Sequence, residues 1–221
     1  MPGILYHLSF AEVVYRKLIL NQIMLDKINF MAGNLIPDFT EDYESGKIKS
    51  HYRKKGSLEG CLVPDMELVK RDLCVLNDPI KLGMYAHLYF DYQFIEGFLV
   101  PEFIWNVKED KVINPMNNKE WNKEEFFSYS GLYGAYTETN QLLVKDGRIA
   151  LDTLKQIPDI LPNTGLEVFD KRRKKTWREE LDEYLLQKKE YTGEILEYNK
   201  LWNFIKGTAT SFEKEIEYEL A

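Results

Sequence analysis

Histidine and cysteine are both scarce in this chain, with three and two residues among 221. Cys61 and Cys74 form no C-x-x-C pair and are too few for a disulfide framework, so they read as reduced thiols. No stretch approaches the roughly 20 apolar residues that span a bilayer. The opening MPGILYHLSF lacks a basic region followed by a long apolar run, so it does not read as a secretory signal. A cytoplasmic location without a transmembrane segment is the expectation. A net charge of -7 argues against a general nucleic-acid binder and gives no strong nucleic-acid signal. There is no His-Glu-x-x-His, no P-loop, no Gly-x-Ser-x-Gly and no Gly-x-Gly-x-x-Gly. The lack of an adjacent His-Asp doublet speaks against HD-domain phosphohydrolases, and the lack of paired Glu-x-x-His motifs against a di-iron four-helix site.

What the chain does have is helical periodicity. Period-2 alternation and β-branched runs are weak, so the expectation is an all-α protein, a multi-helix bundle. Ser9-Phe10-Ala11-Glu12 has the form of a capping box, which predicts a helix starting at Phe10 with His7 in the approach to it. Gly33-Asn34 and Pro37 predict an irregular turn, and Thr40 to Gly60 a polar loop carrying His51. Helices are expected over 65–76, 79–100, 132–143 and 151–157, with a polar surface loop over 106–123. Thr176-Trp177-Arg178-Glu179 is a second capping box, and apolar spacing continues through Trp202, Ile205, Phe212 and Ile216. Pro162-Asn163-Thr164-Gly165 is the candidate hinge between residues 1–161, a helical metal-binding domain, and 162–221, a helical extension packed on it. The basic run DKRRKK at 170–175 reads as a solvated face, or as a contact for an anionic lipid surface or RNA.

The chemistry concentrates in GMYAHLYFDYQF, residues 83–94. Positions four apart share a helix face, so His87 and Asp91 can point at one atom. A buried carboxylate needs a partner or a metal. A His–Asp hydrogen bond inside an apolar core is the metal-free way to satisfy the pair. His7 and His51 both fall near turns, and Pro37 fixes the direction of Asp38. Histidine and carboxylate ligands suit zinc and similar divalent ions.

Taken in order, His7, Gly33-Asn34-Leu35-Ile36-Pro37-Asp38, Ser50-His51-Tyr52 and Gly83-Met84-Tyr85-Ala86-His87 through Asp91 resemble the zinc-dependent phospholipase C family. The same superfamily includes single-strand-specific nucleases, and the resemblance covers about residues 4–105. It implies an all-α fold with a metal site between helices and one or two divalent ions, with Zn2+ the expected metal. Asp38, His51, His87 and Asp91 would form one site, with His7 on a second ion and Asp91 bridging. The chain departs from the pattern at Gly97, where members with three metals carry a histidine, so the third centre is expected to be absent or rebuilt from carboxylates. Glu96 and Glu102 are the nearby carboxylates.

The activity implied is hydrolysis of a small-molecule or lipid phosphoester. A metal-bound water would be the nucleophile, and Asp38 a ligand or general base. Lys49, Arg53, Lys54 and Lys55 flank His51 and are candidates for attracting phosphate, and Tyr52 and Tyr85 for lining the cleft. The alternative is a non-catalytic helical binding protein that retains a structural metal site, or only the fold.

Overall fold

The structure, a computed structural model, describes residues 2–220 and is mostly helical, with two small antiparallel sheets. Helices α1 (Ile4–Leu20), α2 (Lys27–Leu35), α3 (Met66–Leu73) and α4 (Pro79–Gln93) form the half that carries all three histidines. The first helix begins six residues before Phe10, with Gly3 as its N-cap. The capping-box reading fails because Ile4, Leu5 and Leu8 already bury apolar side chains, which makes Ser9 an interior position. Glu12 instead pairs with Arg16 and Lys27 at 2.8 and 2.9 Å. His7 is therefore a helical residue.

Gly33-Asn34 is likewise helical, and the irregular turn begins only at Ile36–Phe39, a single tight turn holding Pro37 and Asp38. The glycine is there for packing. A Cβ on Gly33 would lie 2.1 Å from the carbonyl oxygen of Ile80, and one on Gly83 would lie 2.1 Å from that of Phe30. Helices α2 and α4 thus meet backbone to backbone, which side chains of any size would prevent. Helix α4 is capped by Asp78, whose carboxylate accepts from the backbone of Ile80 and Lys81, and Pro79 sits in its first turn. It runs on through a π-helical stretch, Phe94–Leu99, into α5 (Val100–Glu102).

Two sheets correct the all-α expectation. Strands β1 (Arg53–Lys55) and β2 (Leu62–Pro64) pair antiparallel just after His51. Strands β3 (Ile104–Asn106), β4 (Lys111–Asn114) and β5 (Lys119–Asn122) form a meander where a loop was expected. Its strands are three or four residues long, too short for alternation to register. Its turns use Asp110 and Asn118 at positive φ, and Val112 faces Trp121 across the pair, both buried.

After α6 (Lys123–Phe126), α7 (Leu132–Lys145), α8 (Leu151–Leu154) and α9 (Glu167–Asp170) come the long C-terminal elements α10 (Trp177–Leu186) and α11 (Tyr198–Leu220). The expected capping box at Thr176 is present, with Thr176 and Glu179 bonded reciprocally. Helix α11 buries Leu201, Ile205, Ala209, Phe212 and Ile216, packing on α1 and α4. The Pro162–Gly165 turn is tied down. Asp170 accepts from the backbone of Thr164 and Gly165, and the segment that follows pairs with residues 39–41. The basic run is not a solvated face at Arg173, whose guanidinium stacks on Phe39 and Tyr43 at 4.2 Å from each ring and pairs with Glu180. Among the described residues no helix is long and apolar enough to cross a membrane.

The glycine contacts give opposite expectations at two sites. Gly83→Ala forces the α2–α4 backbones apart and should cost about 3 kcal/mol or more, a Tm fall of roughly 6–12 °C for a chain this size. Gly207→Ala, at an exposed position of α11 where an added Cβ meets nothing within 4 Å, should raise stability by about 0.5–1 kcal/mol. Thermal and denaturant unfolding of the two variants check this; equal effects would mean that the α2–α4 contact is not tight.

Candidate metal centre

Five of the chain's buried polar side chains meet at one point in the helical half. His7 comes from α1, Asp38 from the tight turn after α2, His51 from the turn before β1, and His87 and Asp91 from α4. The α2–α4 contact sets the orientation of His87. Its Nδ1–H donates to the backbone carbonyl of Asn34 at 2.7 Å, which leaves Nε2 as the free lone pair. The His51 turn is organised by Asp42, which accepts from the backbone N–H groups of Lys49 and Ser50 at 2.8 Å. His51 Nδ1 lies 3.0 Å from the Ser50 hydroxyl, so its Nε2 also faces the cluster.

The distances are those of a coordination shell. His51 Nε2 lies 3.2 Å from Asp38 Oδ1 and 3.4 Å from Asp91 Oδ2. His87 Nε2 lies 3.6 Å from Asp91 Oδ2 and 3.8 Å from Asp38 Oδ1. Bonds of about 2.0–2.1 Å to a tetrahedral ion put neighbouring ligand atoms about 3.3–3.4 Å apart. On the other side Asp91 Oδ1 lies 3.3 Å from His7 Nε2, and the His7 and His87 rings stack at 3.7 Å. The residues thus fall into two overlapping groups, His7–His87–Asp91 and Asp38–His51–His87, either of which can hold a metal ion. One carboxylate with an oxygen toward each group is the arrangement of a bridging ligand.

A cluster of hydrogen bonds does not explain this arrangement. His7 Nε2, His51 Nε2, His87 Nε2 and both oxygens of Asp91 are buried without a hydrogen-bond partner. Five orphaned polar atoms in one place would be costly in a core that held nothing between them. Their protonation states also suit ligation. Burial, reinforced by neighbouring His7, pushes the His87 imidazole down to about 3, and burial lowers His51 as well. Burial acts to raise Asp91, but the three imidazoles outweigh it and bring the carboxyl down to about 2. Asp38 is held well below the usual range, burial being overcome by Lys47, His87 and His51. Neutral imidazoles beside ionised carboxylates are what a divalent cation binds.

Asp38 is the member that reaches a surface cleft of about 570 Å³, together with Lys47, Arg53, Tyr43, Tyr136 and Tyr184. The most informative residue missed in the sequence is Lys47, whose ammonium is bonded to Asp38. It sits four residues before His51, in a turn where Gly46 and Lys47 are both left-handed. Tyr136 was missed as well; it is buried at the cleft with its hydroxyl unpartnered.

Several expected contributors lie elsewhere. Of the four basic residues flanking His51, Arg53 alone lines the cleft; Lys54 pairs with Asp65, Lys55 is exposed, and Lys49 borders a separate surface hollow. Glu96 accepts from Ser57, and Glu102 pairs with Lys200. Tyr85 bonds Glu215 and packs on Phe212, and Tyr52 packs toward Phe169, so neither lines the cleft.

The fold and the centre together define a mostly helical protein with a buried His/Asp cluster able to hold a metal ion. No protein family, curated protein or solved structure gives a significant match to the chain.

Purified without chelator, the protein is expected to carry divalent metal, and His87→Ala to lose most of it, because His87 belongs to both groups. Chelation should lower Tm, since an ion bound only by the folded state stabilises it by about 2.7 kcal/mol at a hundredfold excess over Kd. Elemental analysis and calorimetry check this; a metal-free parent whose Tm ignores both EDTA and added zinc would refute the centre.

Proposed function

We propose that this protein is a metal-dependent hydrolase of a phosphoester, similar in its helical core to zinc-dependent phospholipase C, with Zn2+ as its resident ion. The observation that carries the reading is the convergence of five unpartnered nitrogen and oxygen ligand atoms, from His7, His51, His87 and Asp91, beside Asp38, which lines an open cleft. A closed tetrahedral site needs four ligands, and a catalytic one leaves a position open toward solvent. Asp38 supports the open case, because it belongs to the cluster and lines the cleft at once. The nitrogen and carboxylate donors, with no thiolate among them, suit zinc.

When bound, a divalent ion of this kind draws charge from a phosphoryl oxygen and brings the pKa of a coordinated water toward neutrality. The chain's own residues supply the rest. Arg53 and Lys47 present positive charge to an anionic group entering the cleft. Lys47 holds Asp38 ionised, as a ligand or as the acceptor of the attacking water's proton. Tyr136, whose phenol burial keeps well above its usual range, stays a hydrogen-bond donor.

The enclosure of His51 and Asp91, both 0% exposed, favours a second reading, a structural metal site in a helical binding protein. A screen of the zinc-loaded protein on phosphomonoesters and phosphodiesters separates the two. Hydrolysis is expected, with Asp38→Asn reducing kcat at least a hundredfold. A fully metallated parent inert on every ester, with an equally stable Asp38→Asn variant, would leave the structural reading in its place.

A further inference from the structure

The charges around the cleft can be followed one by one. Asp38 and Asp91 are the two carboxylates of the centre, and the three imidazoles are neutral as ligands. A single divalent ion therefore balances the two carboxylates. Lys47, paired with Asp38, and Arg53 then remain as surplus positive charge on residues that line the cleft, and a second ion would add to the surplus. Glu180, the other carboxylate lining the cleft, is consumed by Arg173, with both side chains about nine-tenths buried. Among the described residues no carboxylate pairs with Arg53, and its buried Nε has no hydrogen-bond partner.

The mounting of Lys47 shows that this charge is placed rather than incidental. Gly46 and Lys47 are both left-handed, at φ +84° and +58°, a conformation that costs a lysine about 1 kcal/mol or more. The turn directs the Lys47 side chain inward, where it is 13% exposed and its ammonium sits 4.5 Å from the Tyr43 ring centre. Lys54 and Lys55, by contrast, stand in solvent. The carbonyl of Lys47 also accepts from the His51 backbone at 3.2 Å. One turn thus delivers an ammonium and an imidazole to the same oxygen of Asp38.

We propose that the cleft is built for a dianionic phosphate, the terminal group of a phosphomonoester, held between the Arg53 guanidinium and the Lys47 ammonium against the metal centre. The proposal rests on the metal-dependent phosphoesterase reading. A monoester phosphate carries close to two negative charges above its second pKa of about 6, whereas a diester carries one. A site with two surplus positive charges is neutralised by the first and not by the second. The guanidinium fork matches two phosphoryl oxygens, and the ammonium serves as a point charge for a third.

The test compares inorganic phosphate with dimethyl phosphate, by calorimetry on the zinc-loaded protein at about pH 8, alongside hydrolysis of 4-nitrophenyl phosphate and bis(4-nitrophenyl) phosphate. Phosphate is expected to bind at least tenfold more tightly than dimethyl phosphate, and the monoester to have the higher kcat/KM. Lys47→Met and Arg53→Met should each weaken phosphate at least tenfold, whereas exposed Lys55→Met should not. Zinc content and Tm measured on each variant keep a folding failure from passing as lost affinity. A preference for the diester and its monoanionic analogue would overturn the dianion proposal and leave the hydrolase reading standing. Tight phosphate binding with no hydrolysis of either ester would uphold the dianion site and remove the hydrolase reading. Equal, weak binding of both anions with no hydrolysis would remove both.

Discussion

The backbone contact between α2 and α4 is the constraint on which the centre depends. Two glycines, Gly33 and Gly83, let the helices touch without side chains between them. That contact places the Asn34 carbonyl 2.7 Å from His87 Nδ1 and so fixes which nitrogen of His87 faces the cluster. It also sets where α2 ends, and therefore where the tight turn through Pro37 projects Asp38. A looser crossing would still bury the same apolar residues. It would not bring Asp38 within 3.8 Å of His87 Nε2.

The second constraint is electrostatic. Two carboxylates ionised in a buried space are unstable unless positive charge surrounds them. Lys47 supplies part of it at Asp38, but Asp91 has no hydrogen-bond donor on either oxygen. His7, His51 and His87 approach Asp91 at 3.3 to 3.6 Å, close enough for shared coordination. The same donors, packed with no cation between them, would leave the most buried acid of the helical half unpaired.

Much of the centre was legible in the sequence because its residues are rare or locally ordered. Three histidines are few enough to follow one by one, and the i, i+4 pair His87–Asp91 needs only helical geometry. Lys47 was not legible, since nothing in GKIKSH separates an inward lysine from an outward one until the left-handed turn is seen. The start of α1 was misread for a related reason. Ser9 and Glu12 have capping-box spacing, but the apolar residues upstream extend the helix past it, and tertiary burial outweighs a local cap worth about 1 kcal/mol. The small sheets escaped notice because three- and four-residue strands are held by pairing with neighbours rather than by their own alternation. The helical character of Gly33 was hidden because a glycine that permits close packing looks, in sequence, like one that permits a turn.

The C-terminal third packs against the helix that carries His87 and Asp91. Under the proposed likeness to zinc-dependent phospholipase C, a third centre would call for a histidine at the position of Gly97. A Cβ there would point toward Gln93 at 3.1 Å and the Phe204 ring at 3.8 Å. That side of the helix is occupied by α11, and the rings of Phe90, Phe94 and Phe98 all stand within 6.2 Å of Phe204. Gly97 itself is exposed, at the edge of this aromatic contact. The nearby carboxylates are also spoken for, Glu96 by Ser57 and Glu102 by Lys200 on α11. Helix α11 thus packs Phe204 against the helix that carries His87 and Asp91. Helix α10 supplies Glu180 and Tyr184 to the cleft wall. The same wall holds Lys47 and Arg53, two cations carried by the chain itself.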